Sequence, residues 1–319
     1  MTDSRANTDG GAQIATNRSS PIAAAMYRPE IQGLRAIAAT LVAVFHIWFD
    51  RASGAVDVFF VVSGFLIVGS LARRLERGHQ VGLAATWSRI ARRIVPAAYV
   101  VLAFSTLLVY LLVSFVYRGQ LFDSLAAAAL YVSNVHSAAT SVDYNAQAYV
   151  QSPALHYWAL STQAHFYLVA PVLALACATI ARHRRVSATA LLHMCVLAIT
   201  VASALYAIDL VGSDQQVAYF STRARAWEFG IGALLAMNIG RISLPDVIGR
   251  WAAGLGLVAI FATPLAFDVG RSFPGPEALL PTMGAALVLT GSNLSPNGAS
   301  ARLLSSWPLQ WVGSNGLSL

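Results

Sequence analysis

Apolar stretches long enough to cross a lipid bilayer recur along this chain, and nothing else constrains its fold as strongly. A spanning helix needs roughly 20 predominantly apolar residues. Such runs stand near residues 31–49, 56–72, 94–116, 158–180, 186–209, 223–239, 251–267 and 274–291. Composition points the same way. Of 319 residues, 57% are hydrophobic and only 11% are charged, whereas a soluble domain carries about 25% charged residues. Mean hydropathy is +0.61. So little polar surface excludes a water-soluble globule of this size, along with disordered, fibrous and disulfide-scaffold classes. The expected fold is all-α, a polytopic transmembrane helical bundle.

Charge sets the expected topology. The net charge of +7 comes from 21 basic residues, all arginine, against 14 acidic ones. The segment 121–136 is apolar but brief. Counted as a span, it would put Arg182, Arg184 and Arg185 outside, against the positive-inside rule. Treated as a re-entrant or surface helix, it leaves them inside with Arg73, Arg74, Arg77, Arg89, Arg92, Arg93, Arg241, Arg250 and Arg302. The charges therefore favour eight spans with a cytoplasmic amino terminus, and outward loops near 50–55, 137–157, 210–222 and 268–275. Because the arginines cluster at the ends of apolar segments, membrane lipid is an expected partner and nucleic acid is not.

Residues 1–27 are rich in Ser, Thr, Asn, Ala and Gly and are expected to form a disordered cytoplasmic tail. They contain no apolar core of a cleavable signal peptide. Residues 28–319 form the membrane domain. The last stretch, Trp307 to Leu319, looks like the approach to another helix, so the chain is expected to be a truncated fragment.

Ionisable residues inside spans are functional candidates by default. Arg35 and His46 both fall in the first span. Their separation of eleven residues puts them on one helical face, about 16 Å apart along the axis. A neutral imidazole suits general-base work on a hydroxyl, while packing between helices is the bland alternative. Arg89, Arg92 and Arg93 stand at i, i+3 and i+4. Their forked donors suit phosphate oxygens, or they simply set topology and hold anionic head groups.

Asp57 opens an apolar helix and needs a partner, for which Arg51, Arg35 or His46 are candidates. It would orient the imidazole, or act only on the helix dipole. Ser63 lacks a hydrolase elbow and reads as helix packing beside Gly64. Arg225 and Glu228, at i, i+3, read as a structural ion pair or as the lining of an acceptor pocket. His156 and His165 are nine residues apart, about 180° out of phase on a helix, which argues against a shared metal. Cys177 and Cys195 lie in apolar runs and read as small buried hydrophobes. No metal site and no mononucleotide-binding loop is indicated.

Taken as an ordered set, these motifs resemble membrane acyltransferase family 3. The resemblance rests on Arg35-x10-His46, Val56-Asp-Val-Phe-Phe-Val-Val-Ser-Gly-Phe-Leu-Ile67 and Arg92-Arg-Ile-Val-Pro96. It continues through Tyr131-Val-Ser-Asn134, Ser152-Pro-Ala-Leu-His-Tyr-Trp-Ala-Leu-Ser161, Phe166-Tyr-Leu168, Arg225-Ala-Trp-Glu228 and Pro274-Gly-Pro-Glu-Ala-Leu-Leu-Pro281. It covers roughly residues 27–319.

The resemblance implies an O-acyltransferase of the inner membrane. It would move an acyl group, usually acetyl, from cytoplasmic acyl-CoA to a hydroxyl of a cell-envelope glycan or lipid-linked sugar. Acyl-CoA would be a donor substrate, with no bound cofactor. His46 would be the catalytic histidine, with Arg35 as its companion; Asp57 stands beside them as a catalytic candidate from its own position at the head of an apolar helix. Arg89, Arg92 and Arg93 would be the CoA-side arginines, and Arg225, Glu228 and His156 candidate substrate-binding residues. Where the family commonly reads Ser-Val-Glu-Glu-Gln-Phe-Tyr, this chain has Ser161-Thr-Gln-Ala-His-Phe-Tyr167, without either carboxylate. The competing readings are a lipid-linked glycan transporter and an inactive, truncated relative.

Overall fold

The computed structural model describes residues 28–49, 51–141 and 152–315. The tail 1–27, expected to be disordered, lies outside the described residues, as do 142–151 in the expected 137–157 loop and the last four residues. The described residues form α-helices, short 3-10 turns and loops, with no strand among them.

The first seven helices are α1 (Pro29–Trp48), α2 (Ala55–Glu76), α3 (Leu83–Leu112), α4 (Phe115–Ala129), α5 (Ser133–Ser141), α6 (Tyr157–Arg184) and α7 (Ala188–Ser213). The other seven are α8 (Gln215–Phe220), α9 (Thr222–Asn238), α10 (Asp246–Ala266), α11 (Val269–Ser272), α12 (Leu279–Leu294), α13 (Ala299–Leu304) and α14 (Trp307–Asn315).

Among the described residues six helices, α1, α2, α3, α6, α7 and α10, are long and apolar enough to cross a membrane. The eight-span expectation differs at two places. The segment near 223–239 is α9, 17 residues long with Arg223, Arg225 and Glu228 inside it. The segment near 274–291 shortens to α12, 16 residues, after an irregular Phe273–Ala278 entry. Both pack among longer helices, α9 against α2 and α7, and α12 against α10 and α2. A helix covered by protein needs neither the length nor the unbroken apolar surface of one facing lipid.

Lipid tails are as apolar as leucine, so close packing and small residues, not a hydrophobic drive, must hold such helices together. The α2–α9 contact shows this. A Cβ on Gly64 would fall 1.9 Å from the Phe229 carbonyl oxygen, and one on Gly232 would fall 1.9 Å from that of Val61. The two backbones touch, and only glycine fits. Around them lies the main core, built from Leu34 and Ile37 of α1, Val58, Val61 and Phe65 of α2, Val288 and Leu289 of α12, and Leu304 of α13.

The helix α3 begins eleven residues before the expected span at 94, because the basic segment continues the same helix through its 30 residues. At about 1.5 Å per residue it is about 45 Å long, more than the ~30 Å hydrocarbon core requires. From its far end α4 runs back along it. Tyr99 donates its hydroxyl to Ala129 O at 2.8 Å, and the chain turns at Tyr131 in the left-handed region, φ 56°. Thus 121–136 becomes the end of α4 and the start of α5, a hairpin that turns beside the middle of α3. The turn is tied down by polar contacts: Ser133 N donates to Ser161 Oγ at 3.2 Å, and Asn134 Nδ2 to Thr222 Oγ1 at 2.9 Å.

Candidate active site

His46 occupies the last turn of α1. Its Nδ1 lies 2.8 Å from Val42 O. A carbonyl oxygen only accepts, so Nδ1 carries the proton and Nε2 keeps its lone pair. That is the tautomer a general base needs. The His156 ring stands against it, with centroids 4.5 Å apart and planes at 86°. His156 immediately precedes α6 and is exposed. Loss of hydration where it packs, and then His46 beside it, hold its imidazole below the ordinary histidine value.

Arg35 sits partly buried on the same helix, nearer the arginine-rich end of the bundle. It is within electrostatic reach of Arg93 on α3, and both act on Tyr167 of α6. The fold therefore brings one of the expected catalytic residues to the same end of the bundle as one of the expected donor-side arginines. Arg89, Arg92 and Arg93 are exposed on the early part of α3, and Arg92 Nε donates to Ser88 O at 3.1 Å.

Asp57 corrects the expectation. It does not meet Arg51, Arg35 or His46. Instead its Oδ1 accepts from Arg225 Nη1 at 2.9 Å, and the same nitrogen donates to Glu228 Oε1 at 3.1 Å. Asp57 lies in the first turn of α2, the helix that touches α9, so the close backbone approach delivers it to Arg225. The guanidinium is also sandwiched 4.8 Å from the Tyr219 ring and 5.2 Å from that of Trp158, and its Nε donates to Tyr219 O at 3.0 Å. All three charged side chains are at most 1% exposed. Two carboxylates face one cation. Asp57 Oδ2 and Glu228 Oε2 are buried with no hydrogen-bond partner among the described residues. This cluster is an internal brace beside the histidine pair rather than a carboxylate orienting His46.

Sequence reasoning missed a second polar group. Gln163 Nε2 donates to Ser63 Oγ at 2.8 Å, Ser63 Oγ and Tyr167 OH share a hydrogen bond of 2.9 Å, and Trp87 Nε1 donates to Tyr167 O at 3.2 Å. Ser63, read as packing, therefore links α2 to α6. The usable signal was the i, i+4 pair Gln163 and Tyr167, which puts two long polar side chains on one face of an apolar helix. His165 turns elsewhere: its Nδ1 is 3.0 Å from Thr222 Oγ1, binding α6 to the start of α9. It does not stand in for a missing carboxylate at the histidine pair. Cys177 and Cys195 bring their sulfurs to 3.9 Å across α6 and α7. Among the described residues no three metal-ligating side chains gather.

The arrangement offers a base with a fixed tautomer, a neighbouring imidazole and an arginine-rich surface towards the opposite end of the same helices. Comparison with known proteins gives this chemistry a family. A family described as an acyltransferase domain, acyltransferase family 3, matches residues 28–319. The chain is 27% identical over 304 residues to the peptidoglycan O-acetyltransferase OatA of Listeria monocytogenes, covering 90% of this chain and 47% of that protein. It is 27% identical to the O-acetyltransferase OatA of Staphylococcus aureus (92% and 49% covered), and 28% identical to the putative peptidoglycan O-acetyltransferase YrhL of Bacillus subtilis (90% and 46% covered). The chain thus spans about half the length of these relatives. No solved structure matches it. With the match running through every described helix, the chain belongs to acyltransferase family 3.

Proposed function

We propose that the chain is a membrane O-acetyltransferase that acylates a hydroxyl of a cell-envelope glycan, with acetyl-CoA as donor. The glycan class is taken from the relatives, named for acetylating peptidoglycan. The observation that carries the reading is the His46 tautomer: Nδ1 bonded to Val42 O and Nε2 free to accept a proton.

In this reading Nε2 takes the proton of the acceptor hydroxyl as its oxygen attacks the thioester carbonyl. A C–O bond forms, the C–S bond breaks, and the proton passes to the departing thiolate. Arg35 stabilises negative charge or holds the pantetheine end of the donor, and Arg89, Arg92 and Arg93 hold its phosphates. The chain lies in the inner membrane with the arginine-rich end in the cytoplasm, which obeys the positive-inside rule. The buried Arg225–Glu228 pair supports the acceptor side by holding Trp158 and, through it, the start of α6.

The test is transfer of labelled acetyl from acetyl-CoA to envelope glycan in membranes containing the chain. Removing a general base costs about 10²–10⁴-fold, so His46→Gln is expected to abolish measurable label. Transfer at the parent rate by His46→Gln overturns the assignment. Label that appears only with an acetyl donor other than acetyl-CoA removes the donor assignment and leaves the role of His46 standing.

A further inference from the structure

The torsion that orients a histidine ring is soft and roughly two-fold. For His46 this matters more than for most residues. A half-turn about its Cβ–Cγ bond exchanges Nδ1 with Cδ2 and Nε2 with Cε1, so the flipped ring presents a carbon where the base should be. The bond from Nδ1 to Val42 O, 2.8 Å, opposes the flip. His46 is, however, only partly buried at the end of its helix, and water competes for both partners there.

A second element meets the ring. His156 packs against it at 86° with centroids 4.5 Å apart, a perpendicular arrangement of the kind aromatic pairs prefer. His156 is well supported from below. Ser152 Oγ accepts from Ala154 N at 3.1 Å, and Tyr157 N donates to Ala154 O at 3.0 Å. Two residues on, Trp158 is 4% exposed and wedged among Phe60, Tyr219, Phe220 and Arg225. The segment presenting His156 is thus anchored to the buried brace, although His156 itself is exposed. Packing lowers the affinity of His156 for protons, which lessens any repulsion of the charge that His46 acquires during transfer.

We propose that His156 is a positioning residue whose ring, and not its nitrogens, holds His46 in the rotation that presents Nε2 to the acceptor. The proposal rests on the reading of His46 as the base. A perpendicular aromatic contact is worth a factor of about 2 to 12 in the ratio of the two rotations, which sets the upper limit on the loss of rate.

The experiment uses the full chain in membranes and labelled acetyl-CoA, comparing the parent with His156→Ala, His156→Phe and His46→Ala. His156→Ala is expected to lower kcat by between about twofold and tenfold while KM for the donor stays unchanged. His156→Phe, which keeps a ring and lacks nitrogen, is expected to recover most of that loss. A parent rate in His156→Ala overturns the proposal. So does a His156→Phe variant as slow as His156→Ala, because a nitrogen is then required, as in proton relay or substrate binding.

If the parent transfers no acetyl group, the functional reading fails, and the ring contact is decided separately. Diethyl pyrocarbonate acylates accessible imidazole nitrogen, and its yield at His46 is read by mass spectrometry. It should differ between the parent and His156→Ala by at least about twofold and match the parent in His156→Phe. Equal yields in all three chains overturn the contact itself.

Discussion

Replacing Arg225 with leucine tests how the buried charges are balanced. Arg225 is 1% exposed and donates to Asp57, Glu228 and the Tyr219 carbonyl at 2.9, 3.1 and 3.0 Å. Two carboxyl groups share this one cation, so Arg225→Leu leaves both buried without it. Removing one partner of a buried ion pair costs about 3–5 kcal/mol. Loss of the two ring contacts adds about 0.5–2 kcal/mol each, a comparable amount that the triple variant below separates from the charge effect. The folded-to-unfolded ratio should fall by a factor of about 10² or more.

Asp57→Asn behaves differently, because it leaves a one-to-one Arg225–Glu228 pair and should cost no more than about 1 kcal/mol. The triple change Arg225→Leu, Asp57→Asn, Glu228→Gln leaves no buried charge and should recover most of the loss. The assay is thermal inactivation of the detergent-purified chain followed by size exclusion, read as a rank order. The expected order is parent, Asp57→Asn, triple, then Arg225→Leu well below. Arg225→Leu melting with the parent, or the triple melting below it, would refute the charge argument.

Two other outcomes follow from geometry. Gly64→Ala places a methyl 1.9 Å from Phe229 O, where contact needs more than 3 Å. Separating α2 from α9 should cost at least about 1–3 kcal/mol, whereas Gly119→Ala, exposed within α4 with nothing within 4 Å of its Cβ, should raise the melting temperature slightly, through up to about 1 kcal/mol of helix propensity; equal effects would show that the helices do not touch. The sulfurs of Cys177 and Cys195, 3.9 Å apart, should join under a membrane-permeant oxidant into a disulfide linking α6 and α7. Peptide mapping detects the link, and two freely alkylated thiols after treatment would contradict the register of those helices.

Much of the bundle was legible because each span carries its own signal. The apolar runs mark α1, α2, α6, α7 and α10 within a few residues of their ends. The arginines of the α6–α7 turn argue against a full span at 121–136, the segment that turns back at Tyr131. Arg35 and His46 lie on one helix, so their relation follows from spacing. What stayed hidden depends on distant segments. Asp57 and Arg225 are 168 residues apart, and Ser63 and Gln163 are 100 apart; no local pattern pairs them. His156 was weighed against His165 as though both lay on one helix. It precedes α6, and so it reaches His46 instead.

The close seam between α2 and α9 has a mechanical consequence. Two backbones in contact cannot slide or part, so these helices act as a chassis, with His46 mounted on α1 beside them. The α3–α4 pair is built differently. Its small cluster around Leu102, Val109, Leu121 and Leu125 is shared with Ala154 and Tyr157, and most of α3 faces outward. It is pinned to α6 by two hydrogen bonds, Tyr157 OH to Ala98 O at 2.7 Å and Trp87 Nε1 to Tyr167 O at 3.2 Å. Stiffness is therefore unequal across the molecule. A load arriving at Arg89, Arg92 or Arg93 meets the less tightly packed pair first and reaches α6 through those two hydrogen bonds.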